Sequence, residues 1–414
     1  MKILPRLNQL DPSATLSLNR LSLQLENEGK TVYKFGFGQS PFPIPNQVQN
    51  ALKNNAHQKE YLPVEGLITL RDKIAKHTNK LLSNNYYTAD HVFIGPGSKE
   101  LIYLAQLAID APLLLPNPSW VSYEPQAKII GKDIHWIPTQ ANKWKLDAQE
   151  LDSYLEQKKM SNGVLLLNYP NNPTGLSFSE FELMAISDTC RKYNLIVISD
   201  EIYGLLNFKG EYSSIARYYP ERTIISTGLS KWAGAGGWRL GTMIIPNNLK
   251  KLYKPLQTLA SETFSAVSAP IQFAACSAYD GDSFLEDYKT ASRYILQTTA
   301  NYCYHKLIKG GVEVLPSEGG FYLFPNFTGL VKTTNSILFC EKLLQETGVA
   351  LLPGSSFGRP AEEITARLCF IDFDGESALN HFKKYNRINA VDFNFLFPKI
   401  VKGMDLLMQW VAKN

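Results

Sequence analysis

The sequence predicts an α/β protein, with a large unit on a mainly parallel, seven-stranded sheet and a smaller α+β unit after it. Three observations carry this. Between residues 91 and 245 short apolar runs alternate with helix-like stretches, the pattern of a sheet covered on both faces. The 414 residues exceed one ordinary hydrophobic core. A long helical pattern over 284–308 then separates the alternating part from a remainder of different rhythm.

Residues 12–29 read as a helix dense in leucine (Leu16, Leu18, Leu21, Leu23, Leu25), with Gly29 to end it. A short strand at 32–35 leads into Gly36–Pro45, too rich in proline and glycine for helix or central strand. Within it, Gly38 either closes over a ligand or only marks the way into the next unit. Helices follow at 46–53 and 67–82. The seven strands fall at 91–94, 113–115, 134–137, 164–167, 195–199, 223–226 and 240–245, with helices from 98, at 122–130 and at 179–193 between them. After the long helix come strands at 312–315, 320–324, 350–352 and 366–371, and helices at 336–347 and 399–411.

Composition narrows the function. Forty-two basic against 38 acidic residues give a net charge of +4 without like-charge runs, which argues against a nucleic-acid or membrane surface. The N-terminus lacks an apolar signal core, and no stretch approaches the length of a membrane span. Five scattered cysteines suit reduced thiols in a cytoplasm, and neither they nor the six histidines fall at metal-ligand spacings.

In sheets of this kind ligands bind beyond the carboxyl ends of the strands, and the informative residues lie there. Gly95-Pro-Gly-Ser-Lys-Glu100 joins a strand to a helix whose free N–H groups make an anion site. Trp120, in Asn117-Pro-Ser-Trp120, otherwise reads as packing. Asn168-Tyr-Pro-Asn-Asn-Pro-Thr-Gly175 is a good turn in its own right. Asp200 closes an apolar strand, where a buried carboxylate needs either a helix-capping role or a cationic partner. The stretch Ser226-Thr-Gly-Leu-Ser-Lys-Trp-Ala-Gly-Ala-Gly-Gly-Trp-Arg-Leu-Gly241 places Lys231 after a strand, among glycines that let backbone approach a ligand. A lysine in apolar surroundings can be activated for Schiff-base chemistry, and Arg239 suits a phosphate.

This last stretch, with the order turn, Trp, Asn, Asp, Tyr, Lys, Arg, Arg, resembles the class I/II aminotransferases, pyridoxal-phosphate (PLP) enzymes of fold type I. The resemblance spans essentially the whole chain. It implies a large domain at 46–284 and a small domain built from 1–45 and 285–414. It implies PLP held as a Schiff base on Lys231, with Gly97, Ser98, Lys99, Ser230 and Arg239 at the phosphate and Trp120 on the ring. Asp200 then pairs with the pyridine nitrogen, Asn172 and Tyr203 contact the phenolic oxygen, and Arg367 grips the substrate α-carboxylate, with Gly38 nearby. Catalysis falls to Lys231, Tyr203 and Asp200. Tyr61 reaches the phosphate in a second subunit, which implies a homodimer with shared sites. Cis bonds are implied at Asn117-Pro118 and Asn172-Pro173.

Two departures stand out. Gly228 occupies a position where many members carry a phosphate-binding serine. No arginine or lysine lies between Leu256 and Pro270, where one dicarboxylate-specific branch places an arginine, so neutral and aromatic substrates are expected. Residues 376–397 are longer than the family's usual last connection and suggest no function. The activity implied is transfer of an amino group from an L-amino acid to a 2-oxo acid. The alternative is a C–S β-lyase on the same scaffold. A PLP-binding regulator joined to a DNA-binding module finds too little chain ahead of the first matching segment.

Overall fold

The computed structural model describes residues 4–8, 10 and 14–414. Seven strands form the larger sheet: β1 (Val92–Gly95), β2 (Leu113–Asn117), β3 (Ile134–Pro138), β4 (Val164–Asn168), β5 (Ile196–Asp200), β6 (Thr223–Gly228) and β7 (Gly241–Ile244). Their order is β1-β7-β6-β5-β4-β2-β3. Only β7 runs against its neighbours, β1 and β6. It follows β6 through a loop without a crossover helix, a connection that returns antiparallel.

The strands are apolar along their length because helices cover both faces. In β4, Leu165 and Leu167 pack with Leu183 and Ile186 of the helix Glu180–Lys192. Val164 and Leu166 point the other way, toward Leu101 and Leu104 of the helix Ser98–Ala108. The register sets Asn168 opposite Asp200, and Asp200 opposite Ser226, so a polar row ends an apolar sheet.

The long helix is Ser283–Lys309, and Asp282 caps it by accepting from the Leu285 N–H at 3.0 Å. Beyond it, β8 (Tyr322–Leu323), β9 (Leu352–Pro353) and β10 (Ala366–Cys369) make an antiparallel sheet in the order β8-β10-β9. The expected strands at 32–35 and 312–315 are absent as ladders. Tyr33 makes one bridge to Val349, and the Phe35 N–H turns back onto the Tyr33 carbonyl at 2.9 Å, which curls the chain out of register. Glu313 makes one bridge to Asn326, and Pro316 soon after has no N–H to extend it.

The N-terminal helix is Ala14–Asn27; the expected start at Pro12 lies outside the described residues. Helices Ala148–Gln157, Tyr253–Thr263 and Ala269–Ala275 were not expected. Residues 376–397 supply most of two helices, Gly375–Tyr385 and Ala390–Leu396. Both pack on the long helix, with Phe382 against Tyr294 and Phe393 stacked on Tyr302 at 4.5 Å.

The bond Asn117–Pro118 is cis as expected, but the other cis bond is Tyr169–Pro170 and not Asn172–Pro173. Pro173 sits inside a helix-like turn, in which Asn171 accepts from the Gly175 N–H at 2.8 Å and its side chain from the Thr174 N–H at 3.1 Å. A trans proline fits such a turn.

Candidate active site

The carboxyl ends of β1, β4, β5 and β6 open onto a cavity of about 670 Å³, closed from the other side by β8, β10 and the Phe37–Gln39 segment. Eleven of the thirteen residues singled out in the sequence line it. The two outside are Gly97 and Tyr61.

One part of the site is the turn after β1. Gly97 holds φ +92°, and a Cβ there would collide with the Arg239 guanidinium. Gly241 abuts the same turn from β7, where a Cβ would overlap Gly97 and the Ser98 nitrogen. With no side chain at either position, Arg239 lies against the turn, bonding Pro96 O at 3.3 Å and Gly236 O at 3.1 Å. Ser98, at the start of the helix Ser98–Ala108, and Ser230 line the cavity beside it. A helix N-terminus, two hydroxyls and a guanidinium together make an anion site.

Asp200, 3% exposed, also lines the cavity. The Tyr123 hydroxyl donates to it at 2.7 Å and the Ile202 N–H at 3.3 Å. Burial raises its pKa to about 6, against the opposing pull of these donors. Asn168 steadies the site by donating to Asp200 O at 2.9 Å and accepting from the Asn172 N–H at 2.7 Å.

Lys231, just beyond β6, donates from Nζ to Gly38 O at 2.6 Å and lies over the rings of Tyr203 and Phe321. Burial, then the charge of Arg367, lowers its pKa to about 8. The amine is therefore neutral in a useful fraction of molecules near neutral pH. Arg367, on β10, donates from one terminal nitrogen to Asn172 Oδ1 at 2.9 Å and from the other to Gly36 O at 2.8 Å. Its Nε is buried without a partner among the described residues.

Lys99 rests over Trp120, 5.1 Å from the ring centroid. Partial desolvation of its ammonium and then Arg239 lower its pKa, although the residue as a whole is exposed. Tyr61 is 94% exposed on its loop, outside the cavity of its own chain. The sequence reading missed Tyr123, which holds Asp200, and Tyr322, which meets Tyr203. Gly319-Gly320 before Phe321-Tyr322 is the signal that could have found the latter, since paired glycines mark close approach.

An anion-binding turn, a buried carboxylate and a desolvated lysine around one cavity, on this sheet order, define a transferase of fold type I. Comparison with known proteins agrees. The family model "Aminotransferase class I and II" matches residues 30–373, and the chain belongs to that family. It is 31% identical to an aspartate aminotransferase of Bacillus subtilis over 401 residues, 93% of this chain and 99% of that protein. With an asparagine–oxo-acid transaminase of Streptococcus mutans it shares 29% over 376 residues, 87% of this chain and 93% of that one. Among solved structures, the aspartate aminotransferase of Thermotoga maritima superposes with TM-score 0.81 at 26% identity, covering 99% of this chain and 100% of that one. The chain is an aminotransferase, and these relatives do not favour the lyase alternative.

Proposed function

We propose that the cavity binds PLP and that the enzyme moves the amino group of a short acidic L-amino acid, aspartate first, to a 2-oxo acid. One observation carries the reading: the lysine amine lies in a cavity lined both by an anion site and by a buried, incompletely paired carboxylate. The residues fit the cofactor. Ser98, Ser230 and Arg239 would hold its phosphate, Asp200 its pyridine nitrogen, Trp120 its ring, and Asn172 and Tyr203 its phenolic oxygen. PLP when bound supplies an electron sink for the bond broken at the substrate α-carbon.

The chain does the rest. Lys231 Nζ would hold the cofactor covalently and, once the substrate amine takes its place, would carry the proton off the substrate α-carbon. Arg367 binds the α-carboxylate through its guanidinium fork. Asp200, kept from water, would hold a proton on the ring nitrogen. Trp120, on the cavity wall, would cover the ring and limit access of water.

The segment 256–270 brings no cation, as read from the sequence, yet Lys99 supplies one from another element. An ammonium on the cavity wall without a carboxylate partner among the described residues supports a distal carboxylate on the substrate, as do the names of the relatives. We therefore place aspartate ahead of the neutral and aromatic substrates. The division into domains 46–284 and 1–45 with 285–414, a homodimer with Tyr61 in the partner's site, and a cytoplasmic home for five unpaired thiols complete the reading.

The test measures kcat/KM for aspartate, phenylalanine and methionine with 2-oxoglutarate. Aspartate should lead, and Lys99→Met should cost it about tenfold while leaving phenylalanine unchanged. Equal losses for both substrates would put Lys99 at the cofactor alone.

A further inference from the structure

We propose that Tyr322 is a positioning residue of this site: its hydroxyl sets the proton of Tyr203, and its ring sets the guanidinium of Arg367. The inference rests on the proposed function and adds a residue to it. Tyr322 stands on β8, 1% exposed, and lines the cavity. Its hydroxyl lies 2.5 Å from that of Tyr203, with the two rings edge-to-face at 5.5 Å. Among the described residues this phenol has no other hydrogen-bond partner. Its polar end therefore serves Tyr203 alone.

The surroundings keep it there. A Cβ on Gly38 would collide with the Tyr322 hydroxyl, so the glycine is what lets the phenol enter the cavity. The carbonyl of the same glycine accepts from Lys231, which ties the phenol's position to the lysine's. The guanidinium of Arg367 lies over the Tyr322 ring at 4.7 Å and near Phe357 at 5.2 Å. Its two terminal nitrogens bond to Asn172 and Gly36. The ring contact steadies the group's plane where Nε has no partner among the described residues.

A pair of phenols shares one hydrogen bond and has one proton to spare. If Tyr203 donated to Tyr322, its oxygen would offer the cavity only lone pairs. An acceptor oxygen in the cavity draws the Tyr203 proton toward itself, and Tyr322 then donates from behind. Each bond polarises the other in a dry site. Without the second phenol, Tyr203 keeps its place and loses the donor that strengthens it.

The experiment uses holoenzyme reconstituted with PLP and reads two quantities. One is the pH midpoint of the bound cofactor's visible absorption; the other is KM for aspartate. In Tyr322→Phe the midpoint should rise by about half a unit or more, since one hydrogen bond is lost, with KM within about twofold because the ring remains. In a Tyr203→Phe background the same substitution should move the midpoint no further. Tyr322→Leu should add a rise in KM of about tenfold. Thermal melting of each variant checks that it folds, and if the leucine variant does not, the phenylalanine variant decides. An unchanged midpoint in Tyr322→Phe, or full additivity with Tyr203→Phe, overturns the inference. Wild-type protein that develops no visible band with PLP overturns instead the proposed function beneath it.

Discussion

Asp200 and Glu201 are neighbours in the chain, equally hidden from water, and the protein treats them in opposite ways. Alternation at the end of β5 sends them to opposite sides of the sheet. Asp200 meets Tyr123 on one side; Glu201 meets Tyr169 and Ser214 on the other. Glu201 accepts from Ser199 at 2.7 Å, Ser214 at 2.6 Å, Tyr169 at 3.2 Å, and Tyr212. Four hydroxyls can hold a carboxylate in place without a cation. Asp200 has one hydroxyl and one backbone N–H, and the rest of its surface faces the cavity. A buried carboxylate with too few donors marks where a ligand's charge belongs; one with enough donors is architecture.

Substitutions can break or sharpen that contrast. The largest effect belongs to the cavity side: Lys231→Ala should reduce turnover by at least about a thousandfold. It should also abolish the visible band with PLP and leave the cofactor-free melting temperature unchanged. An active, yellow variant would end the reading. Asp200→Ala should lower turnover by about a hundredfold, because on the proposed reading the cofactor's ring nitrogen would lose a charged hydrogen-bond partner, with no loss of stability in urea.

On the other side, Glu201→Leu should destabilise the chain by about 2 kcal/mol in urea unfolding, since it strands four hydroxyls, with PLP affinity within about threefold. A weaker cofactor complex at unchanged stability would reverse the two roles.

The smallest effect is a slope with pH. In the cofactor-free chain Asp200 titrates near about 6, above the ordinary 3.8, so the folded state holds its proton more tightly than the unfolded state. Stability from this group is fully present below pH 3.8 and is lost as pH rises toward about 6. Asp200→Asn should remove that part of the slope. Glu201 is shifted the same way by burial, so a remnant should persist in the variant.

The legible parts of this molecule are those where one physical demand dominates. Strands buried on both faces must be apolar along their length, so β1 to β7 stand out in the sequence. The residues at their carboxyl ends are the ones the motifs name. The three-stranded sheet is harder. Its strands β8 and β9 are two residues each, and the segments near Tyr33 and Glu313 touch neighbours through single bridges that no periodicity announces. The helix Ala148–Gln157 escapes notice because only Leu151 and Leu155 are buried in it. Tyr123 and Tyr322 acquire their roles from partners far away in the chain, Asp200 and Tyr203, and a local pattern holds no trace of such pairings.

The contact between Gly97 and Gly241 bears on how this site can vary. Gly97 needs its glycine for a left-handed backbone and for Arg239, and Gly241 needs its own because the turn leaves no room for a methyl group. Neither constraint can be relieved by changing the other residue, since each side chain would strike main chain or Arg239. In a library with both codons randomised, active clones should return glycine at both positions. Laboratory evolution of new substrate preference would then run through Phe37, Gln39 and Lys99 on the cavity wall, while the anion turn stays fixed.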